Sequence, residues 1–378
     1  MDRRRNFRDT LNFIKPAQLV LDFGGNPLSA MDGDSELKLL HYLGFPTEGY
    51  DSSRLRFGTI RRMDERIQDH FDTDTRSVGT ILFPEDSHYN VISDDLYTDE
   101  WGITRRFVGT YWEIVQSPLK GATVDDLEKY RFPDPDSVNM EAISGYAAKA
   151  KQLWEDTDKI ICAEHPVYGI FELGCWMCGF EDFLAKMVLL PEFVHLFFER
   201  MLEYQKRVIE HYYGGLGDYV HYTSSGDDFA TQTGPFFSPD MFKTFITPYF
   251  SERIRFTKQF TDAAFLHHSC GSVFSLIDDI MDCGVDILNP IQPKARDMSP
   301  ENLKRQYGGK IVFHGGVDTQ ELLPYGSDEQ IEQHVHDSIR VLNADGGYIF
   351  AAAHNIQPDV QPGKIEVMLR AAAKYRTL

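Results

Sequence analysis

The sequence predicts an α/β protein of the TIM (β/α)8-barrel class, with a cap or insertion in its N-terminal part. From about residue 133 onward, continuous apolar strands alternate with amphipathic helices, which is typical of a parallel sheet covered by helices. Polar side chains follow these strands, at the end where such barrels carry their chemistry. The 378 residues are 42% hydrophobic, enough for one large core. We therefore predict a single barrel domain over residues 1–378, with an irregular cap or insertion at about 32–118.

The elements before the regular repeat give the weakest pattern. Residues 17–25, AQLVLDFGG, are typical of a buried strand that ends in a glycine turn, and residues 12–14 indicate a helix before it. Between about 32 and 118, a helical stretch at 36–43 and hairpin-like runs near 108–115 form no βα repeat. This segment is predicted to be a cap that also contains one barrel strand.

The repeat supplies the other elements in order. Together with the strand at 17–25, six more strands are predicted, at 159–163, 219–222, 263–270, 285–289, 310–314 and 348–352. Helices are predicted at 140–154, 181–188, 191–213, 238–260, 272–281, 300–307, 327–342 and 363–375. An eighth strand is needed to close a barrel of this class, and we expect it inside the 32–118 segment.

Composition narrows the classes of function. The chain has 38 Lys and Arg residues against 58 Asp and Glu residues, a formal net charge of -20, which disfavours nucleic acid and anionic membranes as partners. No apolar run is long enough to span a bilayer, and the basic N-terminus has no apolar segment after it, so a cytoplasmic protein is expected. Five cysteines, an odd number, are expected to be reduced and free to bind metal.

Residues 265–271, FLHHSCG, place metal-binding side chains at the end of a strand. Since side chains alternate along a strand, His268 and Cys270 share one face and His267 takes the other. Imidazole nitrogen and thiolate sulfur are ligands that zinc prefers. By itself an H-x-C pair is more typical of a buried cysteine beside a hydrogen-bonded histidine than of a metal site. A zinc site therefore needs a further ligand from elsewhere in the chain.

His354 is the predicted third ligand. It follows the last strand, and in a closed barrel we expect it to reach His268 and Cys270 across the mouth. A fourth position would then stay open for substrate, water, or the carboxylate of Asp227 or Asp228. Three protein ligands with an open position are typical of catalytic zinc.

Other polar residues at the same end are predicted to act on the substrate. The predicted catalytic residues, which would orient substrate or shuttle a proton, are Asp227, Asp228 and Glu164. The predicted substrate-binding residues are His165, Tyr168, Asn289 and Gln292. Plain loop polarity explains Glu164 and His165 equally well, and Asp318 is at least as well explained by capping of the helix after it.

Several segments resemble the uroporphyrinogen decarboxylase superfamily, namely HHSCGSVFSLIDDIMDCGVDILNPIQP, HGGVDTQELLPYG and GGYIFAAAHNIQPDV, with SSGDDFATQTGPFFSPDMF and TDEWG. Within it they look like the zinc- and corrinoid-dependent methyltransferase branch, which carries an H-x-C motif and a later Cys or His ligand. The resemblance extends from about residue 94 onward. It implies a TIM barrel, Zn²⁺ held by His268, Cys270 and His354, a corrinoid (cobalamin) carried by a partner protein, and a small methylated substrate.

The sequence departs from this pattern in two places. The late ligand is usually cysteine in methanol- and methylamine-type members, whereas here it is His354, and decarboxylases also have a histidine near this point. The arginine-rich R-Q-A-G-R-Y type motif of the decarboxylases is not visible near the N-terminus. The predicted function is zinc-dependent methyl transfer to or from a corrinoid. A porphyrinogen-type decarboxylase and a non-catalytic corrinoid-protein-binding module are the alternatives.

The methyl donor is left open by the sequence. Aromatic residues make up 13% of the chain, and those expected near the mouth are Trp101, Trp112, Tyr168 and Phe229. They make a methoxylated aromatic one candidate donor, beside simple amines, methanol and thiols. The oligomeric state is also open, with a homodimer as the commonest case.

Overall fold

The computed structural model of the chain describes residues 2–48, 50, 63–79, 90–109 and 111–378. Among these residues the strands are, in chain order, β1 Val20–Leu21, β2 Thr75–Ser77, β3 Asn90–Ser93, β4 Leu96–Thr98, β5 Thr104–Phe107, β6 Trp112–Gln116, β7 Ile160–Glu164, β8 Tyr222–Gly226, β9 Ala230–Thr231, β10 Gly234–Pro235, β11 Ala264–His268, β12 Ile287–Ile291, β13 Val312–Val317 and β14 Tyr348–Ala352.

The α-helices of the same residues are α1 Arg3–Leu11, α2 Gly33–Tyr42, α3 Glu65–His70, α4 Val124–Lys129, α5 Met140–Asp156, α6 Ile170–Cys178, α7 Phe180–Leu189, α8 Pro191–Leu216, α9 Pro239–Met241, α10 Thr247–Thr257, α11 Ile277–Asp282, α12 Pro300–Tyr307, α13 Leu322–Tyr325, α14 Asp328–Leu342 and α15 Pro362–Lys374. A π-helical turn, Phe242–Ile246, joins α9 to α10. Short 3-10 turns lie at Pro27–Ser29, Gly217–Tyr219 and Phe274–Leu276. None of the helices in the described part of the chain is long and apolar enough to cross a membrane.

Eight of the strands form one parallel sheet in the order β1-β14-β13-β12-β11-β8-β7-β2, which curls into a nearly closed barrel. Between β1 and β2 the two closing hydrogen bonds both join Leu21 to Asp74. The Asp74 amide donates to the Leu21 carbonyl at 3.0 Å, and the Leu21 amide donates to the Asp74 carboxylate at 2.8 Å. The barrel-fold prediction is confirmed, and the eighth strand, β2, lies inside the 32–118 segment as expected.

The interior of the barrel is apolar at its N-terminal end and polar at its C-terminal end. The inward apolar residues are Val20, Ile160, Cys162, Tyr222, Ala264, Leu266, Ile287, Val312 and Ile349. Phe7 of α1 packs against them and is 3% exposed, so α1 covers this end. Because side chains alternate along each strand, Asp22, His268, Asn289 and His314 form the next inward layer, towards the C-terminal end.

The regular repeat was predicted well, with errors at element boundaries. The helix predicted at 300–307 and the strand predicted at 348–352 are confirmed as Pro300–Tyr307 and Tyr348–Ala352. The strand predicted at 219–222 is wrong, because α8 continues to Leu216 and β8 begins only at Tyr222. Thr223, Ser224 and Ser225 lie beyond the predicted end, within β8, and are buried.

The helix predicted at 12–14 is also wrong. The helix lies earlier, at Arg3–Leu11, because the Asp2 carboxylate accepts the Arg5 amide at 2.9 Å and caps its first turn. Of the predicted cap or insertion, residues 49, 51–62, 80–89 and 110 lie outside the described residues.

The irregular segment contributes a four-stranded antiparallel sheet, β3-β4-β5-β6. Trp101 and Ile103, in the turn between β4 and β5, are 2% and 0% exposed and belong to the main core. The guanidinium of Arg105 lies 5.0 Å from the centroid of the Trp176 ring on α6. Since α6 follows strand β7, these contacts attach the sheet near the C-terminal end of the barrel.

Glu100, in the turn between β4 and β5, is expected to make stability depend on pH. Burial, helped by the Asp99 carboxylate, raises the pKa of Glu100 to about 7 from an ordinary value of 4.5. The folded protein therefore keeps this proton at pH values where the unfolded chain has lost it, and stability falls as pH rises from about 4.5 to about 7. We expect Glu100→Gln to raise the free energy of unfolding by about 2–3 kcal/mol at about pH 8 and by little at about pH 4.5.

Urea unfolding of both proteins across this pH range measures the difference. Glu113→Gln, a change of an exposed residue on the same sheet, is the matched control and should leave the pH profile unaltered. Parallel stability profiles for wild type and Glu100→Gln would contradict the prediction.

Candidate metal centre at the mouth of the barrel

Strand β11 sets the direction of the first two candidate ligands. Leu266 belongs to the barrel interior, and His268, two positions further, points the same way because side chains alternate. Cys270 follows two residues later and places its Sγ 3.3 Å from Nε2 of His268. His267 lies on the opposite face, where its ring stacks on that of Phe229 with centroids 5.3 Å apart.

His354 approaches this pair from beyond the end of strand β14. Its ring centroid lies 5.3 Å from that of His268, and the two ring planes are inclined by 72°. The donor atoms of His268, Cys270 and His354 all lie within 4.8 Å of one another. Nδ1 of His354 is hydrogen-bonded to Oδ1 of Asn355, which leaves its Nε2 for another contact. The structure thus gathers the three residues that the sequence predicted as metal ligands.

The spacing of these atoms fits a zinc ion. In a tetrahedral site with Zn–N of about 2.0–2.1 Å and Zn–S of about 2.3 Å, nitrogen and sulfur lie about 3.5 Å apart. The observed separation of His268 Nε2 and Cys270 Sγ is 3.3 Å. His268 is buried, whereas Cys270 and His354 are partly exposed, so one side of the trio faces the mouth. That arrangement is typical of catalytic zinc sites rather than closed structural ones.

Burial keeps Cys270 and His354 neutral when no cation is bound. Burial, followed by the nearby carboxylates of Asp228 and Glu172, raises the pKa of the Cys270 thiol. Burial and the neighbouring His268 lower the pKa of His354 to about 4. A neutral imidazole is already in its metal-binding form, whereas the thiol must release its proton as a cation binds.

Asp228 lies on the open side of the trio. Its Oδ1 accepts a hydrogen bond from the Cys270 amide at 2.7 Å and lies 3.7 Å from Nε2 of His268. About a third of its side chain, 34%, is exposed. The carboxylate therefore both fixes the Cys270 backbone and faces the space where a substrate would enter.

Asp227, unlike Asp228, is buried and binds the start of helix α6. Its two carboxylate oxygens accept hydrogen bonds from the amides of Phe171 and Glu172, at 3.1 and 2.8 Å, at the start of α6. The residue is 2% exposed, and burial raises its pKa to about 6 in spite of these amide donors. Asp227 therefore fixes the first turn of α6, and its catalytic role stays a prediction.

Asn289 and Gln292, whose predicted binding of substrate stays a prediction, contact the candidate ligands. Oδ1 of Asn289 lies 2.5 Å from Nδ1 of His268. Nε2 of Gln292 donates to Sγ of Cys270 at 3.4 Å, and its Oε1 accepts the amide of Gly271 at 2.8 Å. Both side chains therefore orient the ligand residues of the trio.

Comparison of the sequence with protein families shows which family the chain belongs to. The sequence profile of the uroporphyrinogen decarboxylase (URO-D) family matches residues 113–375, a stretch that includes all three candidate ligands. The chain belongs to the uroporphyrinogen decarboxylase family.

Curated uroporphyrinogen decarboxylases match shorter stretches of this family member. That of Magnetococcus marinus is 27% identical over 97 residues, 26% of each chain. That of Vesicomyosocius okutanii is 31% identical over 67 residues, which are 18% of this chain and 19% of the relative. The alignments therefore span about a quarter of the curated relatives or less.

A solved methyltransferase from Methanosarcina mazei has a similar fold. The two structures superpose with a TM-score of 0.62 over 99% of each chain, at 15% sequence identity. At that identity the likeness concerns the fold, a barrel of the same class extending over nearly the whole of both chains.

The other predicted residues of this uroporphyrinogen decarboxylase family member lie in different places. His165 points into the layer between barrel and helices, where its Nε2 lies 3.2 Å from Oγ1 of Thr257, so its position does not support the predicted substrate contact. Tyr168 is partly exposed, with its ring edge-on to Trp176 at 5.4 Å. Glu164, the last residue of β7, is partly exposed as well. The roles of Tyr168 and Glu164 stay predictions.

The aromatic residues expected near the mouth are mostly elsewhere. Trp101 and Phe229 are 2% and 0% exposed and belong to the core. Trp112 lies on β6 of the four-stranded sheet and packs on Tyr97, with ring centroids 4.8 Å apart. These positions weaken the aromatic argument for a methoxylated donor.

Sequence reasoning gave no role to two acidic residues, Glu172 near the trio and Asp22 in the inward layer of the barrel. Glu172 lies in the first turn of α6, where burial, then Asp228 and Asp227, raise its pKa well above the ordinary value. The surrounding sequence, an apolar helical run, carries no signal for it. Asp22 follows β1 and lies 2.8 Å from Nε2 of His314. Its position directly after a strand was the usable signal.

Proposed function

We propose that the protein is a zinc-dependent methyltransferase that moves a methyl group between a small methylated substrate and the cobalt of a corrinoid protein. The observation that carries this proposal is the trio of His268, Cys270 and His354, gathered around one open position at the mouth of a uroporphyrinogen decarboxylase family barrel. An H-x-C pair with a late histidine is the ligand pattern that the methyltransferase branch of the superfamily implies.

The three side chains would hold the metal by two imidazole nitrogens and one thiolate sulfur. When bound, zinc supplies Lewis acidity that makes the heteroatom bearing the methyl group a better leaving group. Asn289 and Gln292 hold His268 and Cys270 in place through the hydrogen bonds described above. The chain's own contribution is therefore a rigid, partly open site.

Two carboxyl groups beside the trio are placed for substrate orientation and proton transfer. Asp228, with its side chain 34% exposed, would orient the polar end of the substrate. Glu172, whose pKa is raised by burial and by its acidic neighbours, holds a proton at its carboxyl group. The corrinoid of the partner protein is the methyl acceptor, a substrate that in its reduced form would bring both electrons of its new bond to carbon. The leaving heteroatom keeps the electron pair of the broken bond and takes the proton from Glu172.

A porphyrinogen-type decarboxylase is the second candidate, favoured by the names of the curated relatives. Such a substrate carries several carboxylates. The carboxylate of Asp228 at the open side would repel them, since like charges in a poorly solvated site interact unfavourably. This electrostatic contrast supports the methyltransferase over the decarboxylase.

Mixing the zinc-loaded protein with a reduced corrinoid protein and a panel of methyl donors tests the proposal. The panel should contain methoxylated aromatics, methylamines, methanol and methyl thioethers, and the cobalt absorption spectrum reports the product. We expect about one zinc per chain and conversion of reduced cobalt to methyl-cobalt with one class of donor.

Two other results would decide against it. Decarboxylation of a porphyrinogen by the metal-free protein would favour the second candidate. Tight docking to the corrinoid protein without any change in methylation, over the whole panel, would favour a binding module without chemistry. The same assay on variants that lack His268, Cys270 or His354 is the negative control.

A further inference from the structure

An unbroken series of hydrogen bonds runs through the inward layer of the barrel from Asp22 to His268. Oδ2 of Asp22 lies 2.8 Å from Nε2 of His314, and Nδ1 of His314 lies 2.6 Å from Nδ2 of Asn289. Oδ1 of Asn289 then lies 2.5 Å from Nδ1 of His268. All four side chains are at least nine-tenths buried. We call this series the inner chain. It runs from Asp22, just after β1, through β13 and β12 to His268 on β11, and finishes at the candidate metal centre.

Asp22 is held as a carboxylate at the start of the inner chain. Burial by itself would raise the pKa of Asp22, but hydrogen bonds from His314, Thr75 and Tyr222 outweigh it and keep the pKa below its ordinary value. Its Oδ1 accepts from the groups Gly25 N, Ser29 Oγ and Thr75 Oγ1. Its Oδ2 accepts from Asn26 Nδ2, Tyr222 OH and His314 Nε2. An ionised carboxylate can only accept, so Nε2 of His314 must carry a hydrogen.

The direction of the next hydrogen bond follows from the orientation of the Asn289 amide. Its nitrogen faces Nδ1 of His314 and can only donate, so Nδ1 of His314 is the acceptor. The Asn289 oxygen is then left to accept, so Nδ1 of His268 must donate. The lone pair of His268 consequently lies on Nε2, the atom that faces Cys270 Sγ at 3.3 Å.

The opposite direction would be incompatible with metal binding. If Nδ1 of His314 donated, the Asn289 amide would turn over and donate to Nδ1 of His268. Nε2 of His268 would then carry a hydrogen and have no lone pair for a cation. Histidines that bind metals commonly have the other ring nitrogen fixed by a neighbouring acceptor, and loss of that contact weakens metal binding.

We propose that Asp22, His314 and Asn289 are positioning residues, which fix the tautomer of His268 across the barrel and so make it competent to bind metal. The inference rests on the metal site of the proposed function. Asp22 has no direct contact with the trio. Through His314 and Asn289 it would nevertheless control the tautomer of His268.

A pair of substitutions at Asn289 separates this role from packing. Asn289→Asp keeps an acceptor for Nδ1 of His268, whereas Asn289→Leu has similar size and offers none. We expect the leucine variant to bind zinc roughly 10–100-fold more weakly than wild type, and the aspartate variant to stay within a few-fold, measured by competition with a chromophoric chelator. A purely packing role predicts the reverse, because leucine fills the space and a second buried carboxylate is costly.

Asp22→Asn tests the start of the inner chain without changing its shape. The new amide can donate to Nε2 of His314 and so reverse the later hydrogen bonds, and we expect zinc affinity to fall roughly 10–100-fold with the three ligand residues intact. In cobalt-substituted protein the visible ligand-field bands should lose intensity or shift. Thermal melting of each variant confirms that it is folded.

The tautomer itself can be read in the metal-free protein. Nitrogen-15 spectra of histidine-labelled protein, assigned with a His268→Gln variant, should place the hydrogen of His268 on Nδ1 in wild type and on Nε2 in Asp22→Asn. A wild-type hydrogen on Nε2, or unaltered zinc affinity in both Asp22→Asn and Asn289→Leu, would overturn the inference. If wild type shows the expected tautomer but takes up no zinc, the inner chain stands and the proposed function falls.

Discussion

Replacing Cys270 with alanine is expected to remove zinc from the purified protein and to abolish methyl transfer to the corrinoid. The sulfur is one of three proposed ligands and the one that would carry a negative charge when a cation is bound. Zinc sites with four protein ligands are worth about 10–16 kcal/mol, so one ligand accounts for about 3–4 kcal/mol, or roughly 10²–10³-fold in affinity. The zinc content of the purified protein is measured by elemental mass spectrometry, and methyl transfer is measured by the cobalt assay.

Cys283→Ala is the matched control for this change. Cys283 is also buried, 4% exposed, but it lies at the end of α11, on a different element from the trio. The control should keep zinc and activity near wild-type levels. Retention of a full zinc complement by Cys270→Ala would remove the sulfur from the site and contradict the metal assignment.

Gly271→Ala is expected to disturb the site without touching a ligand. Gly271 has a φ of +86°, and a Cβ added there would lie 2.4 Å from the carbonyl oxygen of Thr231. The left-handed backbone costs about 1 kcal/mol for alanine and the steric overlap about 1–3 kcal/mol more. Since Cys270 is the preceding residue, relief of the overlap must move its Sγ. We expect lower thermal stability together with at least a tenfold loss of zinc affinity.

Gly44→Ala separates the two contributions. Gly44 has a similar φ of +76°, but a Cβ there would meet nothing within 4 Å. This control should lose only the backbone contribution of about 1 kcal/mol and keep its zinc affinity. Equal zinc affinities for Gly271→Ala and Gly44→Ala would show that Cys270 tolerates movement of the backbone beside it.

The regular part of the barrel could be predicted because its signals are local. Helices such as Pro300–Tyr307 and strands such as Tyr348–Ala352 are bounded by proline, glycine or polar residues and have clear periodicity. The first part was harder, since β1 and β2 contain only two and three residues. Such short strands are defined by their neighbours in the barrel rather than by their own sequence.

The metal trio could be predicted because part of its signal is also local. His268 and Cys270 are two residues apart, and the two-residue period of a strand gives them one face. His354 required only the barrel prediction. The inner chain could not be predicted, because the bond between His314 and Asp22 joins residues 292 positions apart and depends on the packing of the whole interior. The helix-capping contact of Asp227 with the start of α6 was hidden for a similar reason.

The pairing of β1 with β14 has a consequence for the order of folding. Val20 and Leu21 hydrogen-bond to a strand centred on Ile349 and Phe350, so they find that partner only after almost the whole barrel has been translated. Until then the first strand has an unpaired, apolar edge. The other seven strands of the barrel follow it in the chain and are synthesised later. Growing chains of this protein should therefore engage holding chaperones early, and should acquire protease resistance late and in a single step.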